Sequence, residues 1–274
     1  MRYLQLFSIA LFVVAVLFSA WSGVQYYGEL NTDMPRITAE EEVLELSVKD
    51  PAEEMLRGLT AWDDTDGDLT GEIMVASVSH FLEPATVSVR YVVFDRHNHA
   101  ASLTRRVRYT DYTGPEFHLD ISPVYTVGTS CDIMSHIRVE DCLDGDISGQ
   151  VRVLSNTVNT YVAGIYPMVL EVTNSCGDKA QVTVWITYQS KKNTANIHLS
   201  DYITYTPQGE SFDPMDLVLS VTDQNGVALE RDKLEILGNL DVNTPGAYAL
   251  TYSIADGKLT GQSTLTVVVT ERQA

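Results

Sequence analysis

Apolar and polar residues alternate with a period of two in three widely separated stretches of the chain. Val87, Val89, Tyr91 and Val93 fall on one face of the first, with Ser88 and Arg90 between them. Tyr166, Met168, Leu170 and Val172 do the same in the second, and Tyr248, Leu250, Tyr252 and Ile254 in the third, opposite Ala249, Thr251 and Ser253. That period buries one face of a strand and wets the other. A further alternating run follows each stretch, "AQVTVWITY" at residues 180–188 being the cleanest. Elsewhere runs rich in Val, Thr, Tyr and Ile are broken by Gly, Asp and Asn, and no long segment shows a helical period, so the fold class predicted is all-β. The pattern assigns Tyr91, Tyr166, Tyr248 and Tyr252 to the core, and Trp62 and Trp185 to packing as well. One short helix is expected in "DPAEEMLRG", with Asp50 as N-cap, Pro51 at its first position and Gly58 as its stop.

The N-terminus breaks this grammar. Residues 3–24, "YLQLFSIALFVVAVLFSAWSGV", carry no charge, and about 20 apolar residues suffice to span a bilayer as a helix. Arg2 is the only charge before the run, and Glu29 and Asp33 are the first after it. The positive-inside tendency then leaves a short cytoplasmic stub and places the rest outside, as a single-pass membrane protein. The competing reading is a cleaved signal peptide with "AWS" at residues 20–22 as its site, which would make the protein secreted. The run exceeds the usual apolar core of a signal, which favours an anchor.

The strands recur within a larger repeat. "DDTDGDLT" at residues 63–70 and "DCLDGDIS" at residues 141–148 are one acidic turn written twice, and a third, weaker version begins at Asp223. Asp63 is followed 32 positions later by Asp95, Asp141 by Asn174 after 33, and Asp223 by Asp256 after 33, with the alternating strand inside each interval. Copies of about 80 residues built from short strands fit a small immunoglobulin-like sandwich. The expected organisation is an anchor or signal at 1–28, then three sandwiches at 29–112, 113–190 and 191–274. The linkers near residues 109–116 and 188–196 are short and polar, which favours an extended rod over a compact globule.

The phrases "LTAWDDTDGDLT … VVFDRHNHAA", "IRVEDCLDGDIS … GIYPMVLEVTNSCGDKA" and "LSVTDQNG … GAYALTYSIADGK" resemble the bacterial immunoglobulin-like repeats of Gram-positive surface proteins. Those read T-D-x-x-D-G-D-[LIV]-T and later G-x-Y-x-V-x-Y-x-V-x-D-x-x-G-N. The resemblance covers nearly all of residues 35–270 and is most specific in the second copy, good in the first and weakest in the third. It implies a cell-surface spacer or adhesive module and does not imply an enzyme. Asn98 and His99 stand where the family has Gly-Asn, and the third copy lacks the D-G-D turn.

In such a sandwich the turn at 63–68 and the loop at 95–99 lie at the same end. Hard oxygen donors converging from two loops are what calcium takes, so Asp63, Asp64, Asp66, Asp68 and Asp95 are the candidate calcium ligands; no cofactor is required. Asp-Gly turns also explain themselves without a metal, because Asp bonds its own backbone and Gly accepts positive φ. His97 and His99 raise zinc or copper as a further reading, against two solvated histidines on an exposed turn. In the second copy Cys142 replaces Asp64, and Cys176 lies on the partner loop. An oxidising exterior then predicts a Cys142–Cys176 disulfide, closing a loop of roughly 35 residues and stabilising by about 3–4 kcal/mol in the chain-entropy model. Cys131 should lie at the far end, free and half-buried.

Eighteen basic against 37 acidic residues give a net charge of −19, which repels nucleic acid and anionic lipid headgroups. No nucleophile elbow, phosphate loop, zinc signature or dinucleotide fingerprint occurs, so no enzyme is expected. The reading is a membrane-anchored extracellular structural or adhesive protein that meets an extracellular protein or glycan. Its alternative is a carbohydrate or cell-wall glycan binding module that uses loops at a sandwich end.

Overall fold

The computed structural model describes residues 12–22, 33–190 and 195–271. The chain divides into two compact units, residues 1–110 and 111–274. From residue 33 on, the secondary structure is strand, with only single-turn 3₁₀ segments between among the described residues. The same set of strands recurs three times along the chain. The long pairs expected from the period-two pattern form antiparallel ladders: Thr86–Phe94 with Ala100–Tyr109, Gly164–Thr173 with Lys179–Gln189, and Gly246–Asp256 with Leu259–Thr270. A short strand joins the second member of each ladder in parallel (Val43–Leu46, Val124–Thr126 and Ile203–Pro207). Another joins the first member antiparallel (Met74–Val78, Arg152–Asn156 and Leu234–Leu237). Each copy thus has a four-stranded sheet of one order.

A smaller sheet accompanies each. It pairs Arg36–Ala39 with Leu59–Asp63 in the first copy, Glu116–Leu119 with Ile137–Asp141 in the second, and Ala195–Leu199 with Val218–Asp223 in the third. The acidic turns follow directly from the middle strand of this sheet. The faces assigned by alternation are the buried ones: Val87, Val89, Tyr91, Val93, Leu170 and Tyr252 are fully inaccessible, and Met168, Val172, Leu250 and Ile254 nearly so. Tyr166 and Tyr248 are half-buried. Trp62 departs from expectation. It stands on the outer face of its strand and is 57% exposed, because Ala61 and Asp63 on either side take the inward positions. Trp185 is half-buried.

In the unit 111–274 the second and third copies share one hydrophobic core, from Phe117 and Leu119 through Ile186 and Tyr188 to Tyr202, Leu265 and Val267. The strand Glu116–Leu119 is tied into the third copy: the Phe117 amide donates to Tyr205 Oη at 2.7 Å, the Leu119 amide to Asp201 at 3.1 Å, and the Tyr202 amide to the Leu119 carbonyl at 3.1 Å. Thr266 Oγ1 donates to the Thr183 carbonyl at 2.8 Å. Within this unit the second and third copies thus pack on each other; residues 191–194 of the expected linker lie outside the described residues.

One glycine is fixed by close approach. A Cβ on Gly261 would lie 2.2 Å from the carbonyl oxygen of Ala195, closer than any relaxed contact. Gly261→Ala is therefore expected to lower stability by about 2–3 kcal/mol through overpacking against backbone, read as a fall in melting temperature. Gly71→Ala, where a Cβ meets open space, is the control.

The expected helix at 50–58 is a 3₁₀ turn over Ala52–Leu56 whose N-cap is Pro51. Asp50 does not cap it; its carboxylate accepts from the Ser47 amide at 2.8 Å. Gly58 does end it, at φ +69°. Residues 12–22 are helical and exposed. Among the described residues no helix is long and apolar enough to cross a membrane; the remainder of the expected span, 3–11 and 23–24, lies outside them.

Candidate functional site: the acidic turns and their partner loops

Each acidic turn begins with an aspartate that folds the turn on itself. Asp63 Oδ1 accepts the amides of Thr65 and Asp66, both at 2.9 Å, and Asp141 Oδ1 those of Leu143 and Asp144, at 2.9 and 3.0 Å. These are Asx turns, which set up the positive φ taken by Gly67 and Gly145. The last aspartate of each turn acts locally too. Asp68 accepts the Thr70 amide and Asp146 the Ser148 amide, each at 2.9 Å.

The middle aspartate reaches across. Asp66 Oδ2 accepts the Arg96 amide of the partner loop at 2.8 Å, and Asp144 Oδ2 accepts the Ser175 amide at 2.6 Å, with Ser175 Oγ donating to Asp144 Oδ1 at 2.7 Å. The turn is therefore a clamp between two loops, made by one carboxylate in the first copy and one in the second. Bonds from backbone donors to a carboxylate are charge-assisted and stronger than neutral ones.

Behind the clamp the second copy holds a closed polar network. Asn174 Nδ2 donates to Asp141 Oδ2 at 3.0 Å and to Tyr112 Oη at 2.9 Å, Tyr112 Oη donates to Asp178 Oδ2 at 2.7 Å, and the Asp178 amide donates to Asn174 Oδ1 at 2.9 Å. Burial, and then the Asp178 carboxylate, push the Tyr112 hydroxyl well above its ordinary pKa, so it stays the proton donor. Tyr112 lies outside every motif in the sequence, in what reads as a linker, so no spacing pointed to it.

In the first copy Asp95 takes the place of Asn174. It is 5% exposed and its Oδ1 accepts the amides of His97 and His99, at 2.8 and 2.7 Å, while its Oδ2 pairs with His99 Nδ1 at 2.7 Å. Burial works to raise its pKa, but the His99 amide, the His99 ring and the His97 amide together hold it below the ordinary value.

Of the five expected calcium ligands, the structure brings Asp63, Asp66 and Asp95 inward and turns the other two away. Asp64 is exposed and pairs with Arg36 at 3.3 Å. Asp68, also exposed, is engaged by Thr70. His97, set aside in the sequence as a solvated side chain, joins Asp66 and Asp95: one donor atom of each lies within 4.8 Å of the others. Among the described residues the third copy has no such arrangement. Asp223 accepts the amides of Asn225 and Val227, both at 2.8 Å, and Asp256 pairs with Lys233 at 3.0 Å.

The expected disulfide is not formed: Cys131, Cys142 and Cys176 are all free thiols. Cys142 Sγ donates instead to the Thr113 carbonyl at 2.9 Å. Burial pushes both the Cys142 and the Cys176 thiol above their ordinary pKa, with nearby carboxylates adding to it. Cys131 is half-buried, as expected, beside Tyr125.

Hydrogen bonds hold four turn carboxylates below the ordinary value of 3.8: Thr70 on Asp68, Ser148 on Asp146, Val227 on Asp223 and Thr244 on Asp241. A depressed carboxylate contributes stability that is full above its unfolded pKa and is lost as the pH falls through the folded one. Melting temperature is therefore expected to stay level from pH 7 to about pH 5 and to drop steeply below about pH 4, where unfolded carboxylates bind protons first. A melting temperature flat down to pH 3 would contradict these assignments.

Tandem all-β copies with clamped loops define the class of the molecule, and the comparisons agree at that level. Residues 204–269 match the bacterial Ig-like domain (group 3), which supports a bacterial Ig-like family. That match falls on the copy whose motifs looked weakest. The pesticidal crystal protein Cry22Aa of Bacillus thuringiensis is 26% identical over 209 residues, covering 72% of this chain and 27% of its own length. The chain therefore spans about a quarter of that relative. Among solved structures, the M60 catalytic domain with two CBM51 domains from Clostridium perfringens ZmpB aligns with 89% of this chain and 31% of its own, at 13% identity and a TM-score of 0.25. A lipoprotein of Bacteroides thetaiotaomicron aligns with 85% of this chain and 99% of its own, at 13% identity and a TM-score of 0.22. Scores this low carry no argument for a shared fold or activity.

Proposed function

We propose that this protein is a structural or adhesive element displayed outside the cytoplasm, tethered by its N-terminal apolar segment, with three immunoglobulin-like sandwiches as the displayed part. The observation that carries the reading is the use made of the polar residues. Asp63, Asp66, Asp141, Asp144, Asn174 and Tyr112, the groups most available for chemistry, are engaged in bracing the loops of their own sandwich. Turns whose polar groups are engaged in holding their own loops suit a scaffold or spacer better than a catalyst. The match of residues 204–269 to a bacterial Ig-like domain supports the same reading. A net charge of −19 keeps such a surface soluble and clear of anionic polymers.

Surface labelling tests it. The full chain, carrying a C-terminal epitope tag, is expressed in a Gram-positive host, and intact cells are treated with protease. The tag is expected to be lost from intact cells, and the remaining N-terminal fragment to stay with the membrane after an alkaline wash. A tag protected until the cells are lysed would place the bulk inside and overturn the reading.

A further inference from the structure

The first copy differs from the second at the one position that closes the polar network, and the difference leaves a defect. Asp141 Oδ2 is satisfied by the amide of Asn174. Its counterpart Asp63 Oδ2 has no hydrogen-bond partner, although Asp63 is 1% exposed. The two aspartates are held alike by their Oδ1 atoms, through the amides two and three residues on. The partner loops are also held alike. The Asp95 amide donates to the His99 carbonyl at 3.0 Å and the Asn174 amide to the Asp178 carbonyl at 3.0 Å, and Asn98 and Gly177 both take positive φ. In the second copy this framework offers the first aspartate's Oδ2 the amide of Asn174; in the first copy the corresponding residue is Asp95, a second buried carboxylate instead of an amide. Uncompensated carboxylates are not buried without a cation or a donor.

The same turn and partner loop bring one donor each of Asp66, Asp95 and His97 within 4.8 Å of one another. Asp66 has its Oδ1 outside the clamp bond, and its side chain is 6% exposed. Already facing the cluster are the His99 ring, which pairs with Asp95, and the Arg96 guanidinium, whose Nε is 3.9 Å from Asp66 Oδ1 on a side chain that is 84% exposed. Arg36 is held by Asp64 farther out. Arg96 is free to swing into solvent, so it does not fill the site. Calcium takes six to eight oxygens, whereas one imidazole with carboxylates is the donor set of zinc and its first-row neighbours.

We propose that the first acidic turn and its partner loop form a structural site for a first-row divalent cation, zinc fitting the donors best, held by Asp66, Asp95 and His97 with Asp63 completing the negative charge around it. The ion ties the same two loops that the Asn174 amide ties in the second copy. The proposal is independent of where the protein is displayed.

The test uses the full chain freed of metal by a chelator, then titrated with zinc chloride or calcium chloride and followed by calorimetry and thermal unfolding. Zinc is expected to bind once and raise the melting temperature. His97→Ala and Asp66→Asn are each expected to weaken it at least about tenfold, as losing a ligand does. Asp95→Asn is the decisive variant because it installs the arrangement of the second copy. It should raise the metal-free melting temperature, by giving Asp63 a donor, and abolish the zinc response. A zinc response that survives Asp95→Asn and His97→Ala, no response to zinc, or a response to calcium alone would overturn the proposal.

Discussion

Asn174→Asp is expected to destabilise the unit 111–274 by about 3–5 kcal/mol at neutral pH, the scale on which an uncompensated buried charge acts. Asn174 is 5% exposed and closes the polar network of the second copy. The change removes the two donations from its amide, to Asp141 Oδ2 at 3.0 Å and to Tyr112 Oη at 2.9 Å. It also sets a third carboxylate beside those of Asp141 and Asp178. For a unit of this size the loss corresponds to roughly 10–15 °C in melting temperature. Asn174→Ala, which removes the donors without adding a charge, should cost less, about 2–3 kcal/mol for the oxygens left unpaired. Equal losses in the two variants would mean that the carboxylates do not face one another. The mirror change in the first copy, Asp95→Asn, has the opposite sign, and that pair of results distinguishes a general fragility of these loops from the specific charge arrangement described.

Arg105→Ala carries the second large effect. Arg105 is 3% exposed and has no carboxylate partner among its hydrogen bonds. Its guanidinium lies 5.3 Å from the centre of the Tyr91 ring, and it donates to the Arg57 carbonyl at 2.8 Å and to the Met55 carbonyl at 2.6 Å. Tyr91 Oη donates to the same Met55 carbonyl at 2.8 Å. Two side chains of the main sheet thus hold the 3₁₀ turn Ala52–Leu56 over the core. Removing the arginine frees that turn and opens a space under it, for an expected loss of about 3 kcal/mol. Tyr91→Phe removes the donation to Met55 and the long contact accepted from Arg105 at 3.4 Å, and should cost about 1–2 kcal/mol. Arg105→Met separates the causes: it restores the bulk but not the donors, so stability recovered by Met would show that packing, not the carbonyl bonds, holds the turn. Denaturant unfolding followed by tryptophan fluorescence and far-ultraviolet dichroism reads all three.

What the sequence announces and what it hides follow from the range of the interactions. The buried faces of Thr86–Phe94, Gly164–Thr173 and Gly246–Asp256 were legible because alternation is a local signal that burial imposes directly. The constant spacing between acidic turn and partner loop was legible for the same reason, since it is the length of one strand pair. The division of labour among the aspartates was not. Asp63, Asp66 and Asp68 look alike in a string of letters, and only the path of the partner loop decides that Asp66 crosses to Arg96 while Asp68 stays with Thr70. Arg105 sits at an inward position of an alternating strand, where an arginine reads as an exception until the carbonyls of Met55 and Arg57 are in place around it. Tyr112 lies in an apparent linker and acquires its role through Asn174 and Asp178.

The cysteines show the limit of spacing arguments. Placing Cys142 and Cys176 on the paired loops put the two thiols at one end of the sandwich, yet adjacency of loops does not fix the direction of a side chain, and Cys142 turns to the carbonyl of Thr113. Trp62 was misassigned by residue type: its neighbours already occupy the inward positions, so its size did not decide its side. The match of residues 204–269 to a bacterial Ig-like domain is instructive in the same way. The turn motif is the most visible part of the repeat and is weakest there, while the matched residues hold the buried sheet positions Tyr252, Leu265 and Val267.

The claim on which the account rests is that the middle aspartate of the acidic turn clamps the partner loop. Amide hydrogen exchange at Ser175 measures it directly. In the full chain the Ser175 amide, bound to Asp144 at 2.6 Å, should be strongly protected, and Asp144→Ala should release it to the rate of an open loop while the amides of Gly164–Thr173 stay protected. A Ser175 amide that exchanges freely before the change, or stays protected after it, would contradict the clamp.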